Sequence, residues 1–286
     1  MLARITGALI RGASVGLTLM TPYFFVPSDN QHPVEMVALL AFLAAILVLT
    51  EYFSSNPSLI EFRDAPPLNR IRFCTFLLII SLISIVTLNL FAPTNLTLLI
   101  ASIAAILGQL TSVDFTPVHL VSKLVSDSAP EAVHQLVRGC AAVAYILSLT
   151  AIALFVAVIR LSNWPARSGP FNVWVNLPFF DPALGADVVT RLQRDAGVNI
   201  ALGFVLPFVL PLLVYLLSPF IQFDFVRHPQ SMIWCITLWA FIPANLAMRG
   251  VAMMRVAELI HRKRRHQSEQ AVAQVDQDPR ELWQVV

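Results

Sequence analysis

The sequence predicts an all-α, polytopic membrane helix bundle of about six transmembrane helices, seven if residues 12–28 also cross, with interfacial helices between them. Three observations predict it. The 286 residues are 57% hydrophobic and only 13% charged, with a mean hydropathy of +0.73, whereas soluble globular proteins carry roughly 25% charged residues. Asp, Glu, Lys and Arg are missing from several long runs. The three cysteines, Cys74, Cys140 and Cys235, form no paired motif, which excludes a disulfide framework and a structural zinc site. The same composition excludes an ordinary soluble enzyme, a disordered chain and a nucleic-acid-binding module.

A helix needs about 20 mostly apolar residues to cross a bilayer core. Charge-free runs cover residues 36–50, 73–113, 139–159, 196–223 and 228–248. The second is 41 residues long, enough for two crossings, and Pro93 and Asn95 break it at a polar turn. The predicted spans are therefore 34–53, 72–92, 95–112, 138–160, 198–221 and 231–254, within a membrane domain of residues 34–258. Residues 1–33 precede it. Their apolar run 12–28 contains Gly12, Gly16, Pro22 and Pro27 and follows Arg4 and Arg11, which reads as an N-terminal interfacial helix and linker. Residues 259–286 form a polar C-terminal tail opening with a basic cluster at the membrane surface, Arg262, Lys263, Arg264 and Arg265.

The connections carry their own signals. In residues 54–71, Pro66 and Pro67 forbid a continuous helix, and Glu61, Arg63 and Asp64 alternate in sign, as in a solvated connection with local ion pairs. In 114–137, Val118, Leu120, Val121, Leu124 and Val125 share a helical face, suggesting a short helix on the membrane surface. Ser128, Pro130 and Glu131 then make a helix start near Ala129. Residues 161–197 form the largest extramembrane insert. There, Phe171, Val173, Val175 and Leu177 alternate like a short strand, Trp164, Trp174, Phe179 and Phe180 suit the headgroup level, and Asp181-Pro182 opens a helix expected to end at Gly197.

Basic residues favour the cytoplasmic side. With six spans and both termini inside, 13 of the 19 Lys and Arg residues are cytoplasmic. The outer six are Arg63, Arg70, Arg72, Lys123, Arg138 and Arg227, and the first three oppose the trend. Cys74, Cys140 and Cys235 all fall on the outer side in this arrangement. A bacterial inner membrane suits it.

Polar groups inside a membrane are costly and mark functional hypotheses. The most site-like stretch is Pro243-Ala-Asn245-Leu-Ala-Met-Arg249. Asn245 and Arg249 share a helical face. In the preceding span Pro207 and Pro211 each remove a helical donor. The amide of Asn245 is expected to meet a carbonyl freed by those prolines, and Arg249 to reach an anion or the inner headgroups.

All six histidines lie outside the spans or at their ends, which argues against haem or pigment ligation, and no catalytic or metal motif occurs. No cofactor, metal or catalytic residue is assigned, and no enzymatic activity. The leading expectation is a noncatalytic integral membrane protein, an accessory, scaffold or assembly factor packing against other membrane proteins in the lipid bilayer. The alternative is a small-solute or lipid transporter using the proline-broken fifth and sixth helices.

Overall fold

The computed structural model describes residues 2–27, 31–54, 58–63, 65–162, 164–165, 176–177, 187–217 and 228–277. Among them the chain is all-helical: α1 (Leu2–Phe25), α2 (Gln31–Phe53), α3 (Leu68–Leu88), α4 (Asn95–Thr111), α5 (Pro117–Ser122), α6 (Glu131–Ser162), α7 (Val188–Leu217) and α8 (Pro229–Gln277). Five helices, α2, α3, α6, α7 and α8, are long and apolar enough to cross a membrane, while α4 has 17 residues. This is a helical membrane bundle.

The helices are joined where side chains vanish. Without a hydrophobic driving force between helices in lipid, close backbone approach at small residues supplies the packing. A methyl group on Gly12 would stand 2.6 Å from the Ala45 carbonyl oxygen, and one on Gly16 3.3 Å from that of Ala41. The Gly-x-x-x-Gly stripe of α1 therefore lies on an Ala-x-x-x-Ala stripe of α2. The α7–α8 pair is built the same way: Gly203 abuts Ala247 and the Pro243 carbonyl, and Gly250 abuts Ala196 and Ile200. In the α4–α6 pair, Gly139 sits on Ala104 and Gly108 on Gly139.

These contacts fix which end each element occupies. Arg11 of α1 lies over the ring of Tyr52, 4.7 Å from its centroid, at the end of α2. At the opposite end of α1, Gln230 of α8 donates to the carbonyls of Val26 and Pro27 at 3.1 and 2.7 Å. Thus α1 runs antiparallel along α2 for the length of the bundle rather than lying apart as an interfacial helix. By contrast α4 begins beside the end of α3, where Thr97 donates to Asn89 at 2.9 Å, and its Gly108 is still level with Gly139 near the start of α6. Both ends of α4 stay at that end of the bundle.

Other expectations change with the packing. The apolar face of α5 is covered by protein, with Val118, Val121 and Val125 buried in the core beside Ile79, Ile233 and Ile236. Helix α6 begins at Glu131, two residues after the expected Ala129. Helix α7 does not end at Gly197. It continues through it to Leu217, because no turn is needed there and the helix buries Val189, Leu192 and Ala196 against Met253, Val256 and Ala257 of α8. The C-terminal part of the 161–197 insert is thus one helix with the fifth expected span. The expected strand at 171–177 falls largely outside the described residues, as do Trp174, Phe179, Phe180 and Asp181-Pro182. Cys74 lies near the start of α3, at the bundle end opposite Cys140 and Cys235, so the three thiols do not converge; Cys74 and Cys235 are exposed and Cys140 is buried.

Candidate functional site

At the end of the bundle where α1 starts and α8 finishes (the termini end), the connection after α2 folds back over the helices. Glu51, at the last turn of α2, anchors its first half. The carboxylate accepts from the backbone N–H groups of Ser58, Leu59 and Ile60 at 3.0–3.3 Å and from the Ser58 hydroxyl at 2.5 Å. Arg63 donates to the carbonyls of Glu51 and Ser54, both at 2.7 Å, closing the open C-terminus of α2. Phe62 takes a left-handed backbone conformation (φ 54°) that turns its ring into the core, where it is fully buried, and its N–H donates to the Asn176 carbonyl at 2.7 Å. The indole of Trp164 donates to the Ala65 and Pro66 carbonyls at 3.3 and 3.0 Å.

Glu61 does not pair within its own connection, as the sign alternation suggested. It receives a two-pronged bond from Arg249 of α8, Nε to Oε2 at 2.5 Å and Nη2 to Oε1 at 2.8 Å. Arg249 Nη1 donates to Asn199 Oδ1 of α7 at 3.0 Å, and Asn199 in turn donates to the Asp195 carbonyl at 2.7 Å. Such a fork is the strong form of an Arg–carboxylate pair. Arg72 of α3 is close enough to feel both charges. It donates to Asn69 at 3.2 Å, and Asn69 donates to the Glu61 carbonyl at 2.8 Å. Arg72 Nε is buried without a partner among the described residues.

The residues singled out in the sequence separate in space. Pro207 and Pro211 are buried inside α7 and Pro243 inside α8, and each helix is continuous through them. The donor to the freed Pro207 carbonyl is the indole of Trp239, at 3.0 Å, not the amide of Asn245. The residues of α8 that meet α7 include Trp239, Pro243, Ala247, Arg249 and Gly250. Asn245, two positions before Ala247, is turned away from the row of Trp239, Pro243 and Ala247, and its Oδ1 is buried without a hydrogen-bond partner among the described residues. Arg249 reaches a carboxylate of its own chain rather than solvent. The cluster Arg262, Lys263, Arg264 and Arg265 is exposed on the continuation of α8, about 20 Å past Arg249 at 1.5 Å per residue. Arg264 bridges to Asp187 at 2.5 Å and Arg265 to Glu269 at 2.8 Å, and the Arg264 bond holds the exposed Asp187 carboxyl below the usual carboxylate range.

Next to the Glu61–Arg249 fork lies a cavity of about 480 Å³ between α1, α2, α3, α8 and the folded-back connection, within the size range of small-molecule sites. Its apolar wall includes Ile10, Val15, Val48, Phe73, Phe76 and Phe241. Its polar wall is Arg11, Ser14, Arg63, Arg70, Arg72, Asn69 and Tyr52, with no carboxylate among the described lining residues. Ile10 and Arg11 of α1 and Pro66 and Arg70 are exposed, so the cavity is open to the surface. Sequence reading missed this place because its arginines come from three separate segments, and Arg63, Arg70 and Arg72 read as a solvated run. The one available signal was their disagreement with the charge asymmetry of the rest of the chain.

No protein-family model, curated protein or solved structure matches this chain.

Proposed function

We propose that this chain is a noncatalytic integral membrane protein that admits a small amphiphile from the bilayer into the cavity between α1, α2, α3 and α8, as a binder or carrier. The observation that carries the reading is the cavity itself, apolar on one wall, polar on the other and open beside the exposed Ile10. The test is photo-crosslinking of the full chain, reconstituted in liposomes, with a phospholipid bearing a diazirine on its acyl chain. Labelling at Val15, Val48, Phe73 or Phe76 is expected, and Val48→Trp, which fills the cavity, should suppress it. Labelling confined to the outward faces of α2 and α4 would overturn the reading.

We also propose six crossings, with α1 counted and α4 not, and both termini in the cytoplasm of a bacterial cell. The support is charge. Among the described residues, only Lys123 and Arg138 lie at the bundle end away from the termini; Arg63, Arg70 and Arg72 join the majority. The one discordant group in the sequence thereby becomes concordant with the preference of basic residues for the cytoplasm. Single cysteines at Ser58 and Ser126 in a cysteine-free background should react with impermeant reagents from the cytoplasmic and opposite sides respectively. The reverse pattern would overturn the orientation. A second reading, a scaffold for other membrane proteins, draws support from the exposed, polar continuation of α8 past His261.

A further inference from the structure

We infer that the cavity recognises its amphiphile by an anionic phosphate headgroup, with Arg72 as the principal ligand and Arg70 and Arg63 beside it. The inference rests on the reading of the cavity as an amphiphile site and names the chemistry of its occupant.

Among the described residues, the carboxylates nearest the cavity are already engaged. Glu61 is consumed by the Arg249 fork, and Glu51 by three backbone N–H groups and a hydroxyl. Arg72 and Arg249 both lean on Glu61, with Asp195 also acting on Arg249, so the one carboxylate that acts on Arg72 is already held in the fork. Withdrawing an ion from water costs several kcal/mol unless a counter-charge and hydrogen bonds replace the solvent. Arg72 spends Nη1 on Asn69 while its Nε, buried and unpartnered among the described residues, belongs to a side chain lining the cavity. A planar guanidinium with an unspent edge matches a phosphate oxygen.

The start of α3 adds to the attraction. Its N-cap position is Pro67, which makes no side-chain cap bond, and no acidic residue stands in its first turn. The 21-residue helix therefore presents the positive end of its dipole with no cap or first-turn carboxylate among the described residues, and Asn69, Arg70 and Phe73 of its first turns line the cavity. The aromatic wall of Phe73, Phe76 and Phe241 leaves the remainder of the space to hydrocarbon. A phosphate at the arginines with a chain along the phenylalanines fits both walls, and a soluble anion fits only one.

The experiment uses the purified full chain in a neutral maltoside detergent, with native mass spectrometry as readout. The probes are dioleoyl phosphatidylglycerol, dioleoylglycerol and inorganic phosphate. Phosphatidylglycerol should bind at least tenfold more tightly than dioleoylglycerol. Arg72→Gln should weaken phosphatidylglycerol at least tenfold and leave dioleoylglycerol unchanged. Arg70→Gln, at an exposed position, should weaken phosphatidylglycerol severalfold and keeps the test open should Arg72→Gln not fold. Equal binding of the two lipids overturns the headgroup assignment and leaves the amphiphile reading standing. Binding of neither overturns both. Inorganic phosphate competing as well as phosphatidylglycerol makes the ligand a soluble anion and overturns the lipid source. Parallel loss of both lipids in Arg72→Gln, with Arg70→Gln silent, reduces Arg72 to a structural part.

Discussion

The two ends of the bundle are held together differently. At the end away from the termini, polar groups are satisfied mostly by near neighbours in sequence. Thr94 and Thr97 cap α4 reciprocally, Thr116 caps α5 through the His119 N–H at 3.2 Å, and a core of Ile79, Ile80, Ile83, Val137, Met232 and Ile233 fills the space between helices. At the termini end the decisive bonds join residues 188, 50, 99 and 91 positions apart, in the Arg249–Glu61, Arg249–Asn199, Trp164–Ala65 and Arg255–Trp164 contacts. The first end is an apolar plug with local caps. The second is a polar clasp beside a cavity, where losing one partner strands a charge. The apolar plug and the polar clasp are therefore concentrated at opposite ends.

The comparison breaks most sharply at Glu61. Glu61→Ala removes the carboxylate that Arg72 and Arg249 share, and stability should fall by about 3–5 kcal/mol, as for a broken buried pair. Arg249→Lys keeps the charge but loses the fork and should cost about 1.5–3 kcal/mol. At the other end, Thr116→Ala removes only a cap and should cost about 1 kcal/mol. Equilibrium unfolding in detergent measures all three, and equal costs at Glu61 and Thr116 would erase the contrast.

The packing of α1 supplies the next test. Gly12→Ala drives a methyl group into the Ala45 carbonyl and should cost about 1–3 kcal/mol. Gly197→Ala, with no atom within 4 Å of the new methyl, should instead stabilise by about 0.5–1 kcal/mol, since α7 is helical there. A neutral Gly12→Ala would mean that α1 is not clamped to α2.

Smaller effects separate the two polar side chains near the prolines. Trp239→Phe strands the Pro207 carbonyl in the bundle and should cost about 0.6–2 kcal/mol, the range for interhelical bonds in membranes. Asn245→Ala removes an oxygen that has no partner among the described residues and should be nearly silent in the same unfolding measurement. The reverse ranking would restore Asn245 as the donor.

The weakest link is Asp187–Arg264, on the exposed continuation of α7 and α8. Its carboxyl titrates below the ordinary range near pH 4, so its contribution is present at neutral pH and is lost as pH falls through that lowered value. Asp187→Asn should flatten the acid limb of amide-exchange protection around Val188–Leu192 without moving the melting temperature of the bundle. An unaltered acid limb would show the pair to be idle.

Much of this was legible in the chain. The charge-free runs located α2, α3, α6, α7 and α8, since lipid demands about 20 apolar residues per crossing wherever they pack. The breaks at Pro93 and at Pro66-Pro67 were legible because proline acts through its own backbone. Arg249 stood out as the ionisable residue beside the last span. Its partner did not, because Glu61 lies 188 residues away in a stretch whose alternating charges read as solvated. The packing of α1 was not legible, because Gly12 and Gly16, costly in an isolated helix, gain their value only against Ala41 and Ala45.

The sequence by itself determined that this is a membrane helix bundle, where most of its helices run and where they must stop, because those properties follow from transfer of side chains to lipid and from local backbone chemistry. Only the tertiary structure decided that α1 runs the length of the bundle and α4 does not, that Trp239 rather than Asn245 serves the proline-freed carbonyl, and that Arg11, Arg63, Arg70 and Arg72 converge on one cavity. The physical reason is that close backbone contacts and ion pairs between distant segments depend on rotation and register of whole helices. Those are set by packing of the complete chain, and no periodicity within a single helix encodes them.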